Sequence, residues 1–274
     1  MSRIDKAIEL AAEKKLEGRP PSDQQKTGQG RTQKHSLASA GYAGVKSLRV
    51  VNPLLVPLVD PNGSAAEQYK KLRSLLIRKT NLKPFNNTLL VTSSVPGEGK
   101  SLTVMNLALA LARSADYSVV LVDTDLRNPQ LHLMLNFKPE FGLVHYLRDG
   151  VPIEKVMHKV GLGNLCLIPA GEQVLDPLEL LTSKRMQMLM GELKNRYHDR
   201  YVLLDTPPIL PFADLRVLGE MVDHVLFVCR QGYSNLAHIE EGLDIMSEFN
   251  LLGLICNDAT FPKNNDSSYY YGMK

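Results

Sequence analysis

Tryptophan is absent from this chain of 274 residues, and nothing follows from that. Cysteine is scarce, and its placement excludes more. Cys166, Cys229 and Cys256 have no metal-ligand spacing, and each lies in an apolar run that reads as a strand. Buried, reduced thiols in a reducing cytosol are expected. Long apolar runs are also missing. No stretch approaches the ~18 residues of a membrane span, so none is predicted, and the N-terminus lacks the apolar core of a signal. Charge of one sign does not dominate: a formal +3 is too little to argue for nucleic acid as a partner. What is present, 44% hydrophobic and 22% charged residues, suits one globular α/β domain with an appendage, or two small domains.

One stretch organises the rest. Leu89-Leu90-Val91-Thr92-Ser93 is an apolar run that leads into Ser94-Val95-Pro96-Gly97-Glu98-Gly99-Lys100-Ser101, and a helical pattern follows from Leu102 to Arg113. Strand, glycine-containing loop and helix are the context of a phosphate-binding P-loop. Gly97 and Gly99 tolerate the dihedrals that turn backbone N–H groups inward. The helix offers its positive end to phosphate. Lys100 is placed for the β- and γ-phosphates and the Ser101 hydroxyl for Mg²⁺. Pro96, Gly97, Glu98, Gly99, Lys100, Ser101 and Leu102 are therefore the candidate nucleotide-binding set. Ser94 stands where G-x-x-x-x-G-K-S has a glycine, a departure that the loop alone does not explain.

Four segments divide the chain. Residues 1–17 hold a short amphipathic helix, with Ser2 and Asp5 as a capping box and an apolar stripe at Ile4, Ala7, Ile8 and Ala11. It docks either on its own domain or on a partner. Residues 18–46 are a flexible linker rich in Gly, Pro, Ser, Gln and Thr, with five basic residues against the single acid Asp23. It reads as a solvated tether, with a basic segment on an anionic membrane surface as the alternative. Residues 47–262 form the main domain. It begins with an extended, proline-punctuated segment over 47–62 and a helix that Ser64 and Glu67 start as a capping box. Glu67, Lys70 and Arg73 recur every third residue and line one polar strip of that helix. Residues 263–274 are a polar tail.

From residue 87 strands and helices alternate. Continuous apolar runs near 88–92, 118–123, 164–168, 201–205, 224–229 and 252–256 predict strands covered on both faces. Helices are predicted at 100–114, at 177–196 with its start marked by Asp176, Pro177 and Glu179, at 213–221 and at 234–248. The fold class is α/β: a doubly wound, mostly parallel sheet flanked by helices, with its ligand at the carboxyl ends of the strands.

Two strands end in acids. Val119 to Val122 leads into Asp123-Thr124-Asp125-Leu126-Arg127-Asn128-Pro129, and Tyr201 to Leu204 leads into Asp205-Thr206-Pro207-Pro208. An acid at the end of an apolar strand in a P-loop protein reaches Mg²⁺ directly or through water, and Asp205 fits that role. Of Asp123 and Asp125, one binds the metal and the other takes a proton from an attacking hydroxyl. Arg127 balances their charge or contacts phosphate.

With these motifs on the page, the chain resembles the bacterial tyrosine kinases, P-loop autokinases of capsule and exopolysaccharide export. The resemblance runs from about residue 52 to the end. It rests on S-x-x-P-G-E-G-K-S, where a small residue commonly replaces the first glycine, on V-D-T-D-L-R-N-P, on L-L-D-T-P-P, and on Pro169-Ala170-Gly171 with Asp176-Pro177-Leu178-Glu179-Leu180-Leu181. The N-terminal helix and linker are similar to the exosortase-associated subgroup. The resemblance implies a P-loop NTPase fold, ATP and Mg²⁺ as cofactors, and catalysis by Lys100, Asp123, Asp125 and Asp205, with Ser101, Asp123 and Asp205 at the metal. It implies Tyr269, Tyr270 and Tyr271 as phosphoacceptors in the tail, phosphorylated by a neighbouring subunit of a ring-like homo-oligomer. Glu67, Lys70 and Arg73 match the family's E-x-x-R-x-x-R assembly strip, with lysine for the middle arginine. Asn257 matches an asparagine that contacts adenine in related ATPases. The implied partners are a separate chain-length-determining membrane protein that activates the kinase, and a cognate tyrosine phosphatase. The implied location is the cytoplasm, at the inner face of the plasma membrane through that partner.

Two other readings compete. One is a partitioning-type, ParA/MinD-like switch ATPase, whose signature lysine five positions before the P-loop lysine is here Val95. The other is a non-catalytic nucleotide-binding adaptor of an export complex.

Overall fold

The structure is a computed structural model that describes residues 43–44, 52–81, 85–195 and 199–260. The N-terminal helix, nearly all of the linker, and the tail with Tyr269, Tyr270 and Tyr271 lie outside the described residues. In chain order the described elements are β1 (Ala43–Gly44), α1 (Val56–Val59), α2 (Ser64–Thr80), β2 (Thr88–Ser93), α3 (Lys100–Ala112), β3 (Ser118–Asp123) and α4 (Leu131–Met134). A π-helical turn (His145–Asp149) follows, then α5 (Ile153–Val156), β4 (His158–Lys159), β5 (Leu165–Ile168), α6 (Leu178–Leu181), α7 (Lys184–Asn195) and β6 (Arg200–Asp205). The chain continues through α8 (Asp214–Gly219), β7 (His224–Arg230), α9 (Leu236–Met246) and β8 (Leu251–Asn257).

The six predicted strands are β2, β3, β5, β6, β7 and β8. They join one sheet with β1 and β4 in the order β1-β4-β5-β3-β6-β2-β7-β8. All pairs are parallel except β4 with β5. The continuous apolar runs are explained by period two. Leu89, Val91, Val119, Leu121 and Leu203 point to one face, which α3 and the α2 side chain Leu76 cover. Leu90, Val120, Val122, Val202 and Leu204 point to the other, under α7, α8 and α9. Both strands flanking β2 run parallel to it, so the loops at the carboxyl ends of β2, β3, β6 and β7 converge on one edge.

Five local expectations change. Ser64 is not a helix cap: α2 is preceded by Gly63, whose missing Cβ leaves room for the Asp60 carboxylate, and no side chain caps it. Of the segment over 47–62, the described residues 52–62 lie on the domain through buried Leu55, but they coil into α1 after Asn52, whose side chain accepts the Leu54 N–H. The helix expected over 177–196 breaks at Thr182-Ser183. The Ser183 hydroxyl bonds back to Leu180 O and accepts the Met186 N–H, so it ends α6 and starts α7. Asp176 does not cap α6, which Pro177 precedes without a side-chain cap. Ala43–Gly44, inside the segment read as linker, pairs with β4 at the sheet edge.

Candidate active site

The loop between β2 and α3 is built around two glycines with positive φ, Gly97 at +86° and Gly99 at +92°. Gly99 precedes α3 directly, and no side chain caps the helix there. The first-turn N–H groups of α3 are left for an anion, as a phosphate site requires. Ser94 is fully buried, so only a small side chain fits where the common motif has glycine. Glu98 turns inward and accepts the Val95 N–H at 3.0 Å. Asn257, at the end of β8, donates to Glu98 O at 3.1 Å and packs where a Cβ on Gly99 would be. The described contact of Asn257 is thus with the loop itself.

The sheet brings the three acids together. Asp123 and Asp205 are register partners at the ends of β3 and β6, because β6 lies between β2 and β3. The Thr124 N–H and hydroxyl both bond to Asp205 O, at 2.9 and 2.6 Å, which fixes the turn that carries Asp125. Lys100 Nζ donates to Asp125 Oδ2 at 2.7 Å and to Ser101 Oγ at 3.2 Å, and lies 4.0 Å from Asp205 Oδ1. Asp123 Oδ2 accepts the Leu131 N–H at 3.2 Å, and Asp125 Oδ1 accepts the Asn128 N–H at 3.1 Å.

Three buried carboxylates face one ammonium, and the electrostatics show it. Burial, then the neighbouring Asp205, pushes Asp123 well above the usual carboxylate range. Burial also raises Asp205, to about 6, against the pull of Lys100. Burial by itself would lower Lys100, but Asp205, Asp125 and Asp123 together outweigh it and hold the ammonium charged. Both side-chain oxygens of Asp205 and Oδ1 of Asp123 are buried without a hydrogen-bond partner. Buried, orphaned carboxylate oxygens beside a serine hydroxyl suit a hard divalent cation. Among the described residues no cluster of three or more His, Cys, Asp or Glu forms a metal cage. Mg²⁺ needs none, since it keeps waters and substrate phosphates beside one or two carboxylates.

Arg127 feels the charge of Asp125, but its direct contacts lie elsewhere. Its guanidinium clasps buried Asp214 (Nε to Oδ2 at 3.0 Å, Nη2 to Oδ1 at 3.3 Å), packs over Phe212 at 4.5 Å and donates to Leu175 O. It staples together the loops after β3, β5 and β6. The polar strip of Glu67, Lys70 and Arg73 lies elsewhere. Lys70 pairs with Glu67 at 3.1 Å, and Arg73 donates to Ala110 O at the far end of α3, ~15 Å of helix from Lys100. Lys70, Arg73 and Arg113 line a cavity of about 160 Å³ with Pro57, Pro61 and Ala110.

Sequence reasoning missed Asp214 and the turn after β7. In that turn Ser234 donates to Glu98 Oε1, and Tyr233 Oη donates to Pro96 O at 3.1 Å. No local motif marks either, because their partners are distant in sequence.

Comparison with known proteins agrees with this geometry. The family described as ParA, NUBPL iron-transfer P-loop NTPase, matches residues 85–272. Tyrosine-protein kinase YwqD of Bacillus subtilis is 30% identical over 218 residues, 79% of this chain and 90% of that protein. Tyrosine-protein kinase etk of Escherichia coli is 31% identical over 225 residues, 81% of this chain but only 30% of its own length. The solved kinase domain of the Escherichia coli tyrosine kinase ETK superposes with a TM-score of 0.68 at 28% identity, covering 76% of this chain and 82% of that one. The cell division ATPase MinD of Pyrococcus furiosus shares the fold more loosely, with a TM-score of 0.52 at 21% identity over 65% of this chain and 77% of that one. By its P-loop, its strand-end acids and these relatives, the chain belongs to the bacterial tyrosine-protein kinases, within the ParA-like P-loop NTPases.

Proposed function

We propose that the protein is an ATP-dependent tyrosine autokinase that transfers the γ-phosphate of ATP to Tyr269, Tyr270 and Tyr271, in regulation of exopolysaccharide synthesis or export. The observation that carries this is the convergence of Asp123, Asp125 and Asp205 on Lys100 at the mouth of the P-loop. Backbone N–H groups from Gly97 to Leu102 hold the phosphates. Lys100 draws charge from the γ-phosphate as it leaves ADP. Ser101 and Asp205 would hold Mg²⁺, which would supply positive charge against the phosphate oxygens. Asp123 orients the tyrosine hydroxyl and accepts its proton, with Asp125 in support.

The acceptor comes from another copy of the chain, in a ring that Glu67, Lys70 and Arg73 help to assemble. No described helix is long and apolar enough to cross a membrane. A chain-length-determining membrane protein brings the kinase to the inner face of the plasma membrane and activates it, and a tyrosine phosphatase reverses the reaction. The test incubates the full chain with Mg-ATP, alone and with the cytosolic segment of such a partner, and maps phosphate by mass spectrometry beside Lys100→Met. Phosphotyrosine is expected within residues 263–274 of the wild type only. Its absence in both conditions would favour a switch ATPase or an adaptor.

A further inference from the structure

We infer that Ser234 is a positioning residue for the nucleotide site, whose hydroxyl keeps the Glu98 carboxylate of the P-loop away from the phosphates. The inference rests on the nucleotide reading of that loop. Glu98 poses the problem. An acid in the middle of a phosphate-binding loop repels a triphosphate, and more strongly where water is excluded. Glu98 is only 1% exposed, so its oxygens need protein donors.

Both oxygens have one. The Val95 N–H donates to Oε2, and the Ser234 hydroxyl donates to Oε1. Ser234 Oγ in turn accepts the backbone N–H of Arg230 at 2.7 Å. Arg230 is the last residue of β7, so a relay of hydrogen bonds ties the loop acid to the end of a central strand. The same turn grips the loop twice more, through Tyr233 Oη to Pro96 O and Arg230 Nη1 to Gly97 O at 3.4 Å. Arg230 is itself held by Asp258 at 3.0 Å, and Gly232 gives the turn its positive φ of 73°. None of the Glu98 side-chain bonds involves Lys100, Ser101 or the three site acids.

Without the Ser234 hydroxyl, one oxygen of a buried carboxylate has no donor. It then competes with the triphosphate for the loop N–H groups. The defect is therefore specific to nucleotide binding and depends on the charge of Glu98.

The test is calorimetric titration of Mg-ATP into the full chain, with kcat and KM for tail phosphorylation and thermal melts alongside. The variants are Ser234→Ala, Ser234→Thr, Ser234→Cys, Glu98→Gln and Glu98→Gln/Ser234→Ala. Ser234→Ala is expected to raise Kd and KM for ATP about 10-fold with kcat within about twofold, the lower end of one charge-assisted hydrogen bond. Ser234→Thr keeps the donor and stays within about twofold of wild type, and Ser234→Cys, a weaker donor, falls between. In the Glu98→Gln background the same alanine changes Kd less than about twofold, because no charge remains to repel the phosphates. Equal losses with and without Glu98→Gln, or a lower melting temperature with unchanged Kd, would overturn the role of Ser234. A wild type that binds no Mg-ATP overturns the nucleotide reading itself, a separate result.

Discussion

Asp205→Asn should make the nucleotide-free protein more stable while disabling the site. Asp205 is fully buried, no close hydrogen bond reaches either oxygen, and burial lifts its pKa from 3.8 to about 6 against the pull of Lys100 and the Ser101 hydroxyl. A carboxyl group with a raised folded pKa destabilises the fold only where it must ionise. The penalty is absent below about pH 4, grows as pH rises, and is complete above about pH 6, where it reaches ~3 kcal/mol. The substitution removes that charge but buries an amide short of partners, which costs ~1–2 kcal/mol. Lys100 keeps its 2.7 Å bond to Asp125. The net expectation is a gain of ~1–2 kcal/mol at pH 8 and no gain, or a small loss, at pH 4.5. Urea unfolding at both pH values, without nucleotide or Mg²⁺, measures it. Mg-ATP at about 100 times its Kd should then add ~2.7 kcal/mol to the wild type and little to the variant, so the order reverses. A variant less stable than wild type at pH 8, or a gain of equal size at both pH values, would refute the reasoning.

Three further outcomes are expected. Asp223→Ala should cost ~2–3 kcal/mol in urea unfolding at pH 7, since the carboxylate accepts bonds from the Thr88 N–H, the Thr88 hydroxyl and Lys194. Burial alone would raise the Asp223 pKa, but Lys194 and Thr88 hold it below the usual value. The difference between variant and wild type is therefore complete above about pH 4 and shrinks as pH falls through the folded pKa. Gly99→Ala should lower stability by ~1–2 kcal/mol and abolish detectable ATP binding by titration, because φ is +92° and the new Cβ lies 2.0 Å from Asn257 Nδ2. Adding Asn257→Ala should relieve the clash but not the backbone strain. Arg127→Ala should cost ~2–3 kcal/mol by leaving Asp214 buried without its cation, and less when combined with Asp214→Asn. Additive losses in that cycle would mean that the pair is not coupled.

The strands were legible because a two-sided core writes itself as a continuous apolar run. β2, β3, β5, β6, β7 and β8 fall within a residue or so of the runs that predict them. β1 and β4 were not legible, since a pair of residues at a sheet edge carries no pattern. Helix ends were the weakest part. Ser64 and Asp176 look like caps, but Gly63 and Pro177 are the residues that precede α2 and α6, and no side chain caps either helix.

At the site, the P-loop, Lys100, Ser101 and the strand-end acids followed from local order alone: a residue after an apolar strand must emerge at the sheet's edge. That sequence logic determined the fold class and the carboxyl-end site, and the resemblance of the motifs pointed to the kinship with the tyrosine kinases. Only the tertiary structure decided which groups meet. Strand order makes Asp123 and Asp205 neighbours, a contact between distant parts of the chain that neither strand specifies. Packing gives Arg127 to Asp214, and Ser234 to a glutamate on the far side of the sequence. Local periodicity records which side of an element is buried. It does not record what waits there, because that depends on how the other strands insert beside it.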